Sequence, residues 1–233
     1  MRAPPSPDMN GPADGPRPVL LITRPEPAAL RLAAELAHLR LDTIIAPLMR
    51  IEPLPHDRAA VDGAAGLVFT SENGVAFAGP GRGRPALCVG PRTAEVAAAA
   101  GFAAQAGPGD AARLMPMLHG LGPGWVHVRG AHVAAELGLP AVVTYAQTAL
   151  PLPARAAEAL AGGAPVILPL FSPRSARLAA AAVARARAPL WIAPISAAAD
   201  LAFDAPAARR IVALTPDAPG VHAAVAALCD TPR

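Results

Sequence analysis

Short apolar runs recur along the chain, and several end in a hydroxyl, glycine or proline before a stretch with helical spacing. The clearest is Leu67-Val68-Phe69-Thr70-Ser71-Glu72-Asn73-Gly74-Val75. The same order returns at Val166-Ile167-Leu168-Pro169-Leu170-Phe171-Ser172-Pro173-Arg174-Ser175, with weaker echoes at Gly90-Pro91-Arg92-Thr93 and Thr215-Pro216-Asp217. Most runs are continuous rather than alternating, as parallel strands covered on both faces require. They predict strands near 19–23, 43–46, 66–69, 86–89, 125–128, 141–144, 165–170, 190–193 and 210–214. Helices are predicted between them over 26–39, 93–100, 110–119, 131–137, 154–161, 174–187, 197–203 and 218–229. In the first helix Leu32, Leu36 and Leu39 share a face, and Arg31, Glu35 and His38 fall on another. Strands alternating with helices predict an α/β fold with one or two open parallel sheets.

Two segments break this rhythm. Leu48–Pro55 and Tyr145–Pro153 lack helical spacing and both close on Pro-Leu-Pro, which keeps a chain extended and suits linkers or edge strands. Laid side by side, they would make residues 52–144 a lobe inserted into another built from 18–48 and 149–230, with linkers at about 49–53 and 145–150. A simple cut near Gly120-Leu121-Gly122-Pro123-Gly124 fits the pattern equally.

Each strand-to-helix turn delivers polar loop atoms to a helix start, where unpaired N–H groups and the positive end of the dipole favour anions. Several such turns in one chain point to a large polyanionic ligand.

Composition narrows the possibilities. The 233 residues are 53% apolar, mostly through alanine, which is ample for a core. With 29 prolines and 3% aromatics, the chain carries a compositional bias over an ordinary globular pattern. No apolar run approaches the ~20 residues that span a bilayer. Met1–Pro18 lacks the apolar middle of a secretory signal, so residues 1–17 read as a disordered leader and the chain as cytoplasmic. Net charge is +3 and all 20 Lys+Arg residues are arginine. No basic stripe marks a nucleic-acid partner. The absence of lysine excludes a P-loop lysine, a Schiff base and a pyridoxal-phosphate site. Cys88 and Cys229 read as buried thiols in a reducing compartment. His38, His56, His119, His127, His132 and His222 are scattered without metal-site spacing, so no metal is expected.

Taken in order, a set of short motifs resembles the bacterial type of the uroporphyrinogen-III synthase family. They are Leu21-Ile22-Thr23-Arg24-Pro25, Pro47-Leu48-Met49-Arg50-Ile51-Glu52-Pro53-Leu54, Val68–Val75, Val89-Gly90-Pro91-Arg92-Thr93-Ala94, Gly109-Asp110-Ala111, Val128-Arg129-Gly130, Val143-Thr144-Tyr145, Phe171–Ser175 and Thr215-Pro216-Asp217. The likeness covers about residues 19–229. It implies two flavodoxin-like or Rossmann-like parallel-sheet lobes joined by a two-stranded linker, the second lobe inserted in the first. The implied reaction cyclises hydroxymethylbilane, a linear polycarboxylate tetrapyrrole, to uroporphyrinogen III. Water is lost and the last ring is inverted through a spiro intermediate, with no cofactor. Independently of the resemblance, nothing in the chain suggests a symmetric interface, so a monomer is expected, with no nucleic-acid or membrane partner.

The resemblance places Tyr145, the single tyrosine, as hydrogen-bond or proton donor to the departing hydroxyl. Substrate binding falls to Arg24, Thr70, Ser71, Asn73, Gly90, Thr93, Arg129, Gly130, Ser172, Arg174, Ser196 and Thr215. Each has a plainer reading. The hydroxyl residues also suit helix caps, the glycines sharp turns after a strand, the arginines a solvated surface and Tyr145 the core. Two stretches depart from the family pattern. Pro194-Ile195-Ser196-Ala197 replaces the usual Ser-Pro or Gly-Pro-Thr turn, and Ala131-His132 follows Arg129-Gly130 where a charged residue is common. The competing function is a two-lobed binding protein that closes on a small anion without catalysis.

Overall fold

In the computed structural model, residues 16–133 and 135–230 are described. The leader expected over 1–17 lies outside them as far as residue 15. In chain order the elements are β1 (Val19–Ile22), α1 (Glu26–Glu35), β2 (Asp42–Ile45), β3 (Met49–Pro53), α2 (Arg58–Asp62), β4 (Gly66–Phe69), α3 (Glu72–Phe77), β5 (Pro85–Cys88), α4 (Pro91–Ala99), β6 (Ala103–Ala106) and α5 (Ala111–Leu118). They continue with β7 (Trp125–Gly130), β8 (Ala141–Ala149), α6 (Ala154–Ala161), β9 (Val166–Leu170), α7 (Pro173–Val183), β10 (Leu190–Pro194), α8 (Ala197–Leu201), β11 (Arg209–Arg210) and α9 (Ala218–Asp230).

The chain divides into two compact units, the first from residues up to Leu48 together with those from Pro151 onward, the second Met49–Leu150. The first carries a five-stranded parallel sheet in the order β11-β10-β9-β1-β2. Consecutive residues of β1 face opposite sides. Leu21 packs with Ala156, Leu160, Ala176 and Ala180 of α6 and α7, whereas Leu20 and Ile22 pack with Leu32 of α1 and Val221 and Val225 of α9. Burial on both faces explains why β1, β9 and β10 read as unbroken apolar runs.

The second unit carries a six-stranded sheet in the order β3-β8-β7-β4-β5-β6, parallel except for β3. Leu67 and Phe69 face α2, α3 and α4, and Val68 faces Leu114 and Leu118 of α5. The edge strand β3 runs antiparallel to the second half of β8, Met49 opposite Ala149 and Pro53 opposite Tyr145. The expected α/β class with parallel-sheet lobes is therefore what the chain adopts.

Several elements differ from expectation. The helix expected over 131–137 is absent: among the described residues, 131–139 is bends and loop. Ala131 N–H still bonds Tyr145 C=O, and Leu137 is drawn into the core beside Val68 and Leu87, so tertiary packing overrides alanine's helix preference. Strand β6 and helix α2 form where the sequence pattern predicts neither. The strand expected at 210–214 is assigned only at Arg209–Arg210, although Ile211 and Ala213 still donate to Ile192 and Pro194 of β10. The first helix ends at Glu35, followed by a 3-10 turn at Ala37–Leu39 and a left-handed Arg40. α7 stops at Val183, short of the expected 187.

Candidate active site

In an open parallel sheet, ligands gather outside the carboxyl ends of the strands, at the point where strand order reverses. In the second unit the chain winds outward from β4 to β5 and β6, then returns to the other side of β4 as β7, so the reversal lies between β4 and β7. In the first unit it lies between β1 and β9. The residues singled out in the sequence cluster at these carboxyl ends.

After β4, Ser71 caps α3, its Oγ accepting from Asn73 N–H at 3.2 Å. Thr70 Oγ1 lies 3.0 Å from His127 Nε2 on β7. Gly74 lets α3 press on the end of β7, since a Cβ there would lie 2.9 Å from Val128 C=O. After β5, Gly90 precedes α4, with Pro91 in the first turn. Thr93, also in that turn, is 6% exposed, so its hydroxyl is not offered at the surface. Arg92 bridges the two helix starts, bonding Glu72 at 3.2 Å and Glu95 at 3.1 Å.

Tyr145 is reached through an irregularity. β7 and β8 pair in step as far as Arg129 with Val143, but Gly130 pairs with Tyr145, leaving Thr144 as the extra residue of a bulge. Bulges re-aim side chains, and here Thr144 and Tyr145 are buried in succession. The tyrosine ring stacks on Phe77 of α3, centroids 5.6 Å apart, and its hydroxyl hydrogen-bonds with the Ser71 side chain and the Gly130 backbone. Burial pushes the Tyr145 pKa up, while those two bonds oppose the rise. Arg129, with a mostly buried side chain, approaches Glu136 at 3.4 Å. Tyr145, Ser71, Thr70, Arg129 and Gly130 thus form one cluster, and Gly90 and Thr93 sit at the adjoining strand end.

The glycine reading needs correction. Gly90 has φ −163°, extended backbone open to any residue, and neither Gly90 nor Gly130 has a positive φ. Both are small because of neighbours: a Cβ on Gly90 would lie 3.2 Å from Gly109 Cα, and one on Gly130 would enter the Tyr145 ring.

In the first unit, the Arg24 guanidinium stacks 3.8 Å above the Phe171 ring, joining the loops on either side of the reversal point. Such a contact holds the cation in place. Ser172 caps α7 in a capping box with Ser175. Arg174 follows in the first turn, its pKa lowered by burial and by Arg177. Ser196 caps α8, accepting from Ala199 N–H. Thr215 instead donates to Asp217 at 2.8 Å, and Asp217 also accepts from Gly220 N–H, so the start of α9 already carries a carboxylate.

Four residues of the site do not stand out among the sequence candidates: His127, Phe77, Gly74 and Arg92. A usable signal exists for His127, a polar residue between Val126 and Val128 in a strand otherwise apolar as far as Arg129. Among the described residues no three His, Cys, Asp or Glu side chains are grouped to hold a metal ion, and no helix is long and apolar enough to cross a membrane.

Comparison with known proteins places the chain in a family. No curated protein matches the sequence. Among solved structures, the uroporphyrinogen-III synthetase of Helicobacter pylori 26695 aligns with a TM-score of 0.58 at 16% identity, covering 91% of this chain and 99% of that one. A mutant uroporphyrinogen III synthase from the extremely thermophilic bacterium Thermus thermophilus aligns with a TM-score of 0.55 at 14% identity, covering 92% and 100%. At these identities the likeness is one of fold. The family model for uroporphyrinogen-III synthase HemD matches residues 31–199, well over half of the chain. The chain belongs to the uroporphyrinogen-III synthase family, enzymes of tetrapyrrole biosynthesis.

Proposed function

We propose that this chain closes linear hydroxymethylbilane to uroporphyrinogen III, as a cyclising lyase that works as a cytoplasmic monomer. The observation that carries the mechanism is the Tyr145 hydroxyl, held by Ser71 and Gly130 at the carboxyl edge of the second unit's sheet. Tyr145 donates its proton to the terminal hydroxyl of the substrate, which leaves as water. The substituted α-carbon of the last ring attacks the methylene of the azafulvene cation that remains, forming the spiro intermediate. The bond from the spiro carbon to its original methylene bridge then breaks, and that bridge is captured by the ring's free α-carbon so that the ring is inverted. Loss of the proton on that carbon restores aromaticity and reprotonates the tyrosinate. Hydrogen bonds from Ser71 and Gly130 favour the transient tyrosinate, offsetting the burial that disfavours it.

Holding the ends of the tetrapyrrole together supplies much of the rate, since orientation alone can lower a barrier by ~7–11 kcal/mol at best. Selection of the inverted product requires a site that favours one transition state over another. In the second unit, substrate carboxylates are held by Arg129, by the hydroxyls of Thr70 and Ser71, and by N–H groups at the starts of α3 and α4, where Asn73, Gly90 and Thr93 lie, while Gly130 holds the Tyr145 hydroxyl. In the first unit they are held by Arg24, Arg174, the hydroxyls of Ser172 and Ser196, and the start of α7. Thr215 joins them once its bond to Asp217 is exchanged for one to substrate.

The test is incubation of the purified chain with freshly generated hydroxymethylbilane, oxidation, and separation of the porphyrin isomers. Isomer III in excess supports the reading. Isomer I alone from folded protein overturns it in favour of an anion-binding protein without catalysis.

A further inference from the structure

His127 lies in the middle of β7, 1% exposed, and no step of the chemistry above uses it. Its Nε2 is 3.0 Å from Thr70 Oγ1, on the loop after β4. The two strands flank the reversal point of the sheet.

We infer that His127 is a positioning residue for Thr70: its Nε2–H donates to Thr70 Oγ1, so that the threonine's own proton points at a carboxylate of the linear tetrapyrrole. This rests on the synthase reading given above. A neutral imidazole carries an N–H on one nitrogen and a lone pair on the other, and a hydroxyl has a single proton to give. Were Nε2 the acceptor, Thr70 would direct that proton into the ring and present only lone pairs to an anion. With Nε2–H as donor, the bonds run in one direction from imidazole to hydroxyl to carboxylate, and each polarises the next. The ring is neutral at working pH, because burial and then the Arg129 charge push its pKa down to about 4. In a chain without lysine, a hydroxyl whose proton is fixed in advance is one of the donors able to hold a carboxylate in a set direction.

Steady-state kinetics on the full chain test this. A hydrogen bond to a charged group predicts that Thr70→Val and His127→Leu each lower kcat/KM by about tenfold or more, chiefly through KM. Because both changes remove the same bond, the double variant is expected to be no worse than the weaker single one. His127→Gln, which keeps an N–H donor, should recover most of the loss. Multiplying losses in the double variant, or a His127→Leu enzyme with unchanged KM, would overturn the inference. Should His127→Leu fail to fold, His127→Gln decides, since a KM equal to that of Thr70→Val also overturns it. Long-range proton–nitrogen spectra of protein labelled with 15N-histidine, recorded with uroporphyrinogen III bound under anaerobic conditions, give a separate readout. An Nε2–H tautomer supports the assignment, and an Nδ1–H tautomer removes it. Failure of the synthase reading itself is seen earlier and separately, as isomer I from the wild-type chain.

Discussion

A Cβ on Gly130 would lie 2.5 Å from Cε2 of Tyr145 and 2.7 Å from Cζ, so the tyrosine ring fills the space that any side chain at 130 would need. The ring cannot swing aside freely, because Phe77 stacks on it. Gly130→Ala is therefore expected to destabilise the chain by about 1–3 kcal/mol, the usual range for overpacking, and to reduce turnover because the hydroxyl moves with the ring. Denaturant unfolding and isomer-III formation measure the two effects. Unchanged stability would mean the ring is not fixed there.

Tyr145→Phe preserves the stacking on Phe77 and the packing on Gly130 and removes only the hydroxyl. A general acid contributes about 10²–10⁴-fold, so turnover should fall by more than ~100-fold while the folded spectrum is retained. A nearly normal rate would leave the hydroxyl a positioning role only. Since burial raises the Tyr145 pKa, no loss of activity from its ionisation is expected from neutral pH to about pH 9.

His127 makes stability depend on pH. Its folded pKa is about 4 against an ordinary value of 6.5, so between these values the unfolded chain binds the proton and the folded chain does not. The contribution is complete above pH 6.5 and is lost as pH falls toward 4, amounting to about 3 kcal/mol at most. Unfolding free energies measured from pH 7.5 to 4 should fall, and should fall less in His127→Gln. Equal slopes would show that His127 is not the source.

Both cysteines are thiols, Cys88 buried in β5 and Cys229 half-buried near the end of α9. Burial pushes the Cys88 thiol up to about 11, and burial followed by the Asp230 charge also raises that of Cys229. Since the thiolate is the reactive form, iodoacetamide at pH 7.5 should leave Cys88 unlabelled in the folded chain and label it fully in denaturant. Intact-mass spectrometry reads the difference, and rapid native labelling of Cys88 would contradict its placement.

What the sequence makes legible is whatever burial on two faces imposes. Leu67-Val68-Phe69 and Val166-Ile167-Leu168 reveal their strands because packing above and below leaves no polar position in either run. β6, Ala103-Ala104-Gln105-Ala106, gives no such signal: it is a mostly exposed edge held by its register against β5. At the candidate site, the hydroxyl-bearing turns are visible as breaks in apolar runs. The bulge at Thr144 is not visible, since it follows from the pairing of Gly130 with Tyr145 across strands and leaves no local pattern. His127 shows as a polar break between Val126 and Val128, but its pairing does not, Thr70 being brought beside it only by the parallel pairing of β4 with β7.

The antiparallel pairing of Met49 with Ala149 bears on the order in which the chain assembles. β1 must find β9 across a long insertion, Val19 beside Val166. Closing a free loop of about 100 residues costs roughly 4 kcal/mol in chain entropy. Once β3 has zipped onto β8, the two ends of the insertion already lie side by side, and the effective loop between β2 and α6 shrinks to a few residues. Residues 49–150 are therefore expected to gain hydrogen-exchange protection first, with the β1–β9 ladder protected afterwards.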